Sequence, residues 1–104
     1  MRFHLDTDSF TAERAWGARL VGQIDNVTVR LHWTDQPYKW HVNDGPEAFV
    51  VLHGSVDMHY REGTEEKTQR LEPGQIFYAE DGDAHVAHPV GEARILVIER
   101  DGSV

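Results

Sequence analysis

His41, Asn43 and Glu47 fall inside one short stretch, "KWHVNDGPEAFVVLHG", residues 39 to 54, which closes on a glycine after an apolar run. In a strand, residues i and i+2 point the same way about 7 Å apart, so His41 and Asn43 can share a face. Asp44-Gly45-Pro46 is turn chemistry that can reverse the chain and start the next strand beside the first, which would bring Glu47 to that face. Three potential ligands would then converge from one hairpin. Imidazole nitrogen and carboxylate oxygen suit Zn, Mn, Fe, Co, Ni or Cu. The same residue types are also common in a polar bend, and spacing alone does not separate the two readings.

The elements that must position these side chains read as β-strands. Val27, Val29, Leu31 and Trp33 alternate with Thr28, Arg30, His32 and Thr34, a half-buried strand that Asp35-Gln36-Pro37 ends. "YKWHVN" and "EAFVVLHG" follow, then Val56, Met58 and Tyr60 alternate with Asp57, His59 and Arg61 up to a turn at Glu62-Gly63. After the polar "TEEKTQRL", Pro73-Gly74 and Asp81-Gly82 bracket the short strand "QIFYA", and "AHVAHP" and "ARILVIE" complete the series. Short strands between recurrent Gly, Pro and Asp turns predict one all-β domain over residues 1–104, a sandwich or small barrel. The only helical spacing, "SFTAERAWGARL", is interrupted by Gly17, so the N-terminal segment is expected to be a turn of helix or irregular chain leading into a strand. The tail after Glu99 is expected to be loosely held.

A second stretch pairs with the first. "HVNDGPEAFVVLHG" fits HxNx(3)Ex(6)G and resembles the first motif of the cupin superfamily, HxHx(3,4)Ex(6)G, with Asn43 at the second histidine. "GQIFYAEDGDAHVAHP" resembles the second motif, Gx(5)PxGx(2)Hx(3)N, through Gly74, Gly82 and His85, with Glu80 at the proline and Pro89 at the final asparagine. The likeness is to small single-domain cupins of the type-2 class and runs over about residues 27–99. It implies a jelly-roll β-barrel, or two-sheet antiparallel sandwich, whose mouth binds one divalent transition metal. His41, Glu47 and His85 match its ligand positions. Asn43, a neutral amide, is left to coordinate weakly, to bond a metal-bound water, or to leave the position to solvent. Glu80, in the turn before His85, is a candidate general acid or base.

Composition narrows the partners. Eighteen Asp and Glu against 10 Lys and Arg give a net charge of −8, which repels phosphate backbones and anionic lipid, so neither nucleic acid nor membrane is expected. With no cysteine, there is no disulfide framework and no thiol nucleophile, and a metal must be held by His, carboxylate, amide or water. No apolar leader or span is present, and the expected compartment is the cytoplasm. His53, His59 and His88 read as structural or surface residues, and His4 and His32 give no handle. Trp33, Trp40, Phe49, Phe77 and Tyr78 read as core or interface, with one or two at the barrel mouth. "FVVL" is apolar on both faces, so a homodimer is expected to cover the outer one.

The functional expectation is therefore a small metal-binding cupin that binds or acts on a small oxygenated metabolite, a sugar or organic acid, or activates dioxygen. The alternatives are a non-catalytic ligand-binding or sensory cupin, and a degenerate cupin used for protein interaction.

Overall fold

A computed structural model describes residues 1–103. Seven strands pair antiparallel throughout: β1 (Gly17–Ile24), β2 (Val27–Thr34), β3 (His41–Val42), β4 (Glu47–Glu62), β5 (Glu65–Leu71), β6 (Ile76–Ala79) and β7 (Ala84–Arg100). The registers divide them into two facing layers. In one, β1, β2, the second half of β7, the first half of β4, and β6 lie in that order. In the other, β3, the first half of β7, the second half of β4, and β5 follow one another.

Both layers therefore share β4 and β7, which bend from one to the other where their pairing slips between Val51 and Ser55. Glycine makes the bend possible. Gly54 has φ +81°, and a Cβ there would stand 2.3 Å from the Glu92 carbonyl oxygen, so no side chain fits without moving backbone. The slip also switches which parity faces inward: Phe49 and Val51 are buried before the corner, Val56 and Met58 after it. These join Ile95, Ala93, Ala87, Val97 and Leu71 in one core, each large aliphatic contributing about 1.5–3 kcal/mol by leaving water.

Several expectations change in detail. No helix forms among the described residues, and the N-terminal segment is irregular, fastened to the outside of the first layer. Buried Arg94 donates to the Phe10 carbonyl and the Thr11 hydroxyl, and Arg19 pairs bidentately with Asp6. "TEEKTQRL" is largely strand β5, which alternation missed because an edge strand open to water on both sides carries charge on both. The first strand of the first layer, β1, lies before residue 27 and joins β2 through a tight Asp25-Asn26 turn, Asp25 taking φ +54°. Residues 101–103 are held: the Asp101 amide donates to the Asn26 carbonyl, and Ser103 is half-buried.

The largest difference concerns β2. Paired residues of antiparallel strands share a face, and Thr28 pairs with Glu99, Arg30 with Val97, and His32 with Ile95. Its polar set thus faces the space between the layers, while Val27, Val29, Leu31 and Trp33 face outward.

Candidate metal centre

Asp44-Gly45-Pro46 does not fold β4 back beside β3. Asn43 is pinned to the turn before β7, its amide donating to the Asp83 carbonyl and its carbonyl accepting from the Gly82 amide, so the chain crosses to the facing layer instead. β3 pairs with β7, setting His41 directly beside His85, while Glu47 opens β4 opposite them. The ligands converge from two layers rather than from one hairpin. One donor atom from each of His41, Glu47 and His85 lies within 4.8 Å of the others.

One imidazole donor is preset. His41 Nδ1 lies 3.1 Å from the Lys39 carbonyl oxygen, an acceptor that fixes the proton on Nδ1 and turns a bare Nε2 toward the cluster. The His41 and His85 rings stand 4.3 Å apart at 62°. His85 Nε2 meets Asn43 Oδ1 at 2.7 Å and Glu47 Oε1 at 3.3 Å. Asn43, 4% exposed, also donates through Nδ2 to the Gly45 carbonyl. The amide therefore sits in the cluster with its oxygen, not its nitrogen, turned toward His85.

Glu47 supplies the fit. Its Oε1 is buried and finds no hydrogen-bond partner, because the 3.3 Å approach to His85 lacks hydrogen-bond geometry. A buried carboxylate oxygen without a donor is costly unless a cation stands beside it. Burial pushes the Glu47 carboxyl up, but His85 beside it, then Asn43 and His41, outweigh this and hold it below its ordinary range. Two imidazoles, one ionised carboxylate and an adjacent amide oxygen match a divalent transition metal.

The cluster opens into a cavity of about 250 Å³ between the layers. Aromatic rings line its approach, Trp16 to Tyr38 at 5.2 Å and Tyr38 to His41 at 5.3 Å, while Phe77 packs against His85 at 5.0 Å from the core side. His32 also faces the cavity, where burial lowers its pKa and favours the neutral ring, its Nδ1 3.0 Å from the Trp16 carbonyl.

Glu99 lies across the β4–β7 pair from Glu47. Burial, then the Glu47 charge, push its carboxyl up to about 7. The folded state thus holds this proton more tightly than the unfolded chain, so stability falls as pH rises from the ordinary carboxylate value through about 7. With chelator present, Glu99→Gln is expected to match the parent protein at pH 4 and to exceed it by about 1–2 kcal/mol at pH 8, a figure reduced for the carboxyl's partial exposure. Urea denaturation at the two pH values measures it, and an equal difference at both would refute the assignment.

The remaining sequence candidates are elsewhere. Glu80 is exposed in the turn between β6 and β7, its amide bonded to Asp83, and does not line the cavity. His53 faces outward against Arg94, and His59 and His88 meet on the outer side of the second layer, rings 4.4 Å apart. Phe49 lines the cavity; Trp40 stacks under Arg61 and Tyr78 is 60% exposed. Trp16, Arg30, His32, Tyr38 and Glu99 are cavity residues that motif spacing missed. The alternation of β2 held the signal for two of them, once its polar side is taken as the inner one.

No family profile matches the sequence, and no curated protein matches it. Among solved structures, the chain is similar to a cupin-2 domain containing protein from Shewanella frigidimarina, with 21% identity and a TM-score of 0.76 over 86% of this chain and 84% of that one. It is also similar to a cupin superfamily protein from Desulfitobacterium hafniense, with 15% identity and a TM-score of 0.73 over 88% and 83%. A third likeness is to hydroxypropylphosphonic acid epoxidase from S. wedmorenis, with 17% identity and a TM-score of 0.62 over 71% of this chain and 43% of that enzyme. The chain folds as a small cupin-type β domain.

Proposed function

We propose that this cupin-type domain holds one divalent transition metal through His41, Glu47 and His85, with Asn43 as an oxygen donor or as the group that orients His85. Its role would be to bind or transform a small oxygenated metabolite, a sugar or organic acid, or to activate dioxygen. The observation that carries this reading is the convergence of three donors within 4.8 Å around a buried carboxylate oxygen that lacks a partner. An iron(II) form of the epoxidase is among the similar structures. Zn, Fe, Mn, Ni, Co and Cu all suit the set.

A bound metal would supply Lewis acidity toward an oxygen of the ligand. The chain's own part is positional. The Lys39 carbonyl orients His41, Asn43 orients His85, and the walls of Trp16, Tyr38 and Phe49 displace water from the approach. Glu99, with its carboxyl pushed up to about 7, can hold or release a proton in the cavity near neutrality. Elemental analysis of untagged protein is expected to find, or to reach on addition of metal, one transition-metal ion per chain. Protein that takes up none would overturn the reading.

The outer side of the first layer supports a homodimer. Ile24, Ile76 and Tyr78 are 68%, 62% and 60% exposed, beside half-buried Val50, Leu96 and Ile98. A sheet face this apolar is expected to be covered by the same face of a second copy. Analytical ultracentrifugation at micromolar concentration should show a dimer that Val50→Asp dissociates; a parent protein that sediments as monomer counts against it.

A further inference from the structure

The inner side of β2 carries four polar residues, and three have hydrogen bonds to backbone groups. Thr28 bonds the Glu99 carbonyl, Thr34 exchanges hydrogen bonds with Gln36, and His32 meets the Trp16 carbonyl. Arg30 does not fit that pattern. Its guanidinium donates once, from Nη1 to Thr28 Oγ1 at 2.8 Å, and its sole ion pair among the described residues is a 3.9 Å approach to Asp101, more than half exposed. Five N–H donors in a rigid fork are left mostly unspent. Among the described residues, Arg30 is also the only lysine or arginine lining the cavity.

Register places this fork relative to the metal cluster. Thr28, Glu99 and Glu47 form one row across β2, β7 and β4, and Arg30, Val97 and Phe49 form the next. Strands lie about 4.8 Å apart and neighbouring rows about 7 Å, so the Arg30 backbone is about 12 Å from that of Glu47. By bonding Thr28, the guanidinium leans toward the Glu47 row. The gap between them opens on a cavity of about 250 Å³, the volume of about eight waters, room for a ligand of about ten non-hydrogen atoms.

Charge gives the gap its selectivity. A chain of net charge −8 repels anions over most of its surface, and Glu47 and Glu99 also line this cavity, so an anion is admitted only at the Arg30 fork, with the charge of a bound metal offsetting the carboxylates at the other end. Building on the metal-site reading, we infer that Arg30 receives the carboxylate of a small organic acid whose far end presents an oxygen to His41, Glu47 and His85. This selects an acid over a neutral sugar. It also assigns Arg30 as the residue that sets the orientation of the ligand.

Calorimetry with 4-hydroxybenzoate and 4-hydroxybutyrate, each against its own amide, tests the assignment on metal-loaded protein. At least one acid is expected to bind tenfold or more tightly than its amide, and Arg30→Met is expected to erase that preference while metal content stays unchanged. Arg30→Lys, which keeps the charge but loses the fork, should retain part of it. Acids and amides that bind alike in the parent protein, or a preference that survives Arg30→Met, overturn the inference. If Arg30→Met fails to fold, the parent and Arg30→Lys comparisons decide. A protein that takes up no metal yet prefers acids through Arg30 would sink the metal reading and leave this one standing.

Discussion

Replacing His85 with alanine is expected to weaken metal binding at least a hundredfold. His85 is the hub of the cluster: its ring touches Asn43 Oδ1, approaches Glu47 Oε1, and packs against His41 and Phe77. Its loss removes one of three strong donors and leaves Glu47, 8% exposed, without the imidazole 3.3 Å from its Oε1. Glu47→Gln should be comparably damaging by a different route, since it preserves the shape but deletes the only anionic ligand of the set. Asn43→Ala should cost less, about tenfold to a hundredfold, as is usual for residues that orient a ligand. Competition against a chromophoric chelator orders the three variants, with circular dichroism to establish that each is folded. If His85→Ala binds metal as tightly as the parent, His41 and Glu47 do not form a site with it. If Asn43→Ala falls as far as His85→Ala, the amide oxygen is itself a ligand.

The residues that were legible in the sequence are those fixed by local chemistry. Gly54, Gly74 and Gly82 stand at positive φ where turns or bends were expected, and His41, Glu47 and His85, which the resemblance to the two cupin motifs put at ligand positions, come together. What spacing could not supply was the route. The convergence depends on β3 pairing with β7, residues more than 40 positions away, and on the chain crossing between layers at Asp44-Gly45-Pro46. Parity held for His59, His88, Val50 and Leu52 but misled in β2, for a related reason. The polar side of β2 faces inward because the space between the layers there is an open cavity rather than a dry core, and the apolar side lies on the outer face of the sheet, where Leu31 is nonetheless fully buried. Tyr38 and Trp16 reach the cavity from irregular segments, where no periodicity marks an inward direction. Binary patterning reports which side avoids water, and a functional cavity inverts that rule where it lies.

Gly54→Ala is expected to be the most destabilising conservative change at any glycine here, by about 3 kcal/mol or more. Two costs combine. At φ +81° a Cβ is strained by about 1–2 kcal/mol, and its nearest neighbour would be a backbone oxygen 2.3 Å away, with the Ala93 Cα at 3.1 Å. Neither neighbour is a flexible side-chain end, so β7 must shift to make room. Gly91 is the control. It has φ +74° on the partner strand at the same corner, but nothing lies within 4 Å of its added Cβ, so Gly91→Ala should bear the conformational cost alone. At about 4–8 °C per kcal/mol for a domain near this size, the first variant should melt at least 12 °C below the parent and the second about 4–16 °C below, the first always the lower of the two. Equal melting temperatures would show that the crowding at Gly54 relaxes freely. The expected inequality has a functional consequence, because the corner sets the register between the half of β4 that carries Glu47 and the half of β7 that carries His85. A Gly54→Ala protein that still folds should therefore bind metal more weakly, although the substitution touches none of the ligands.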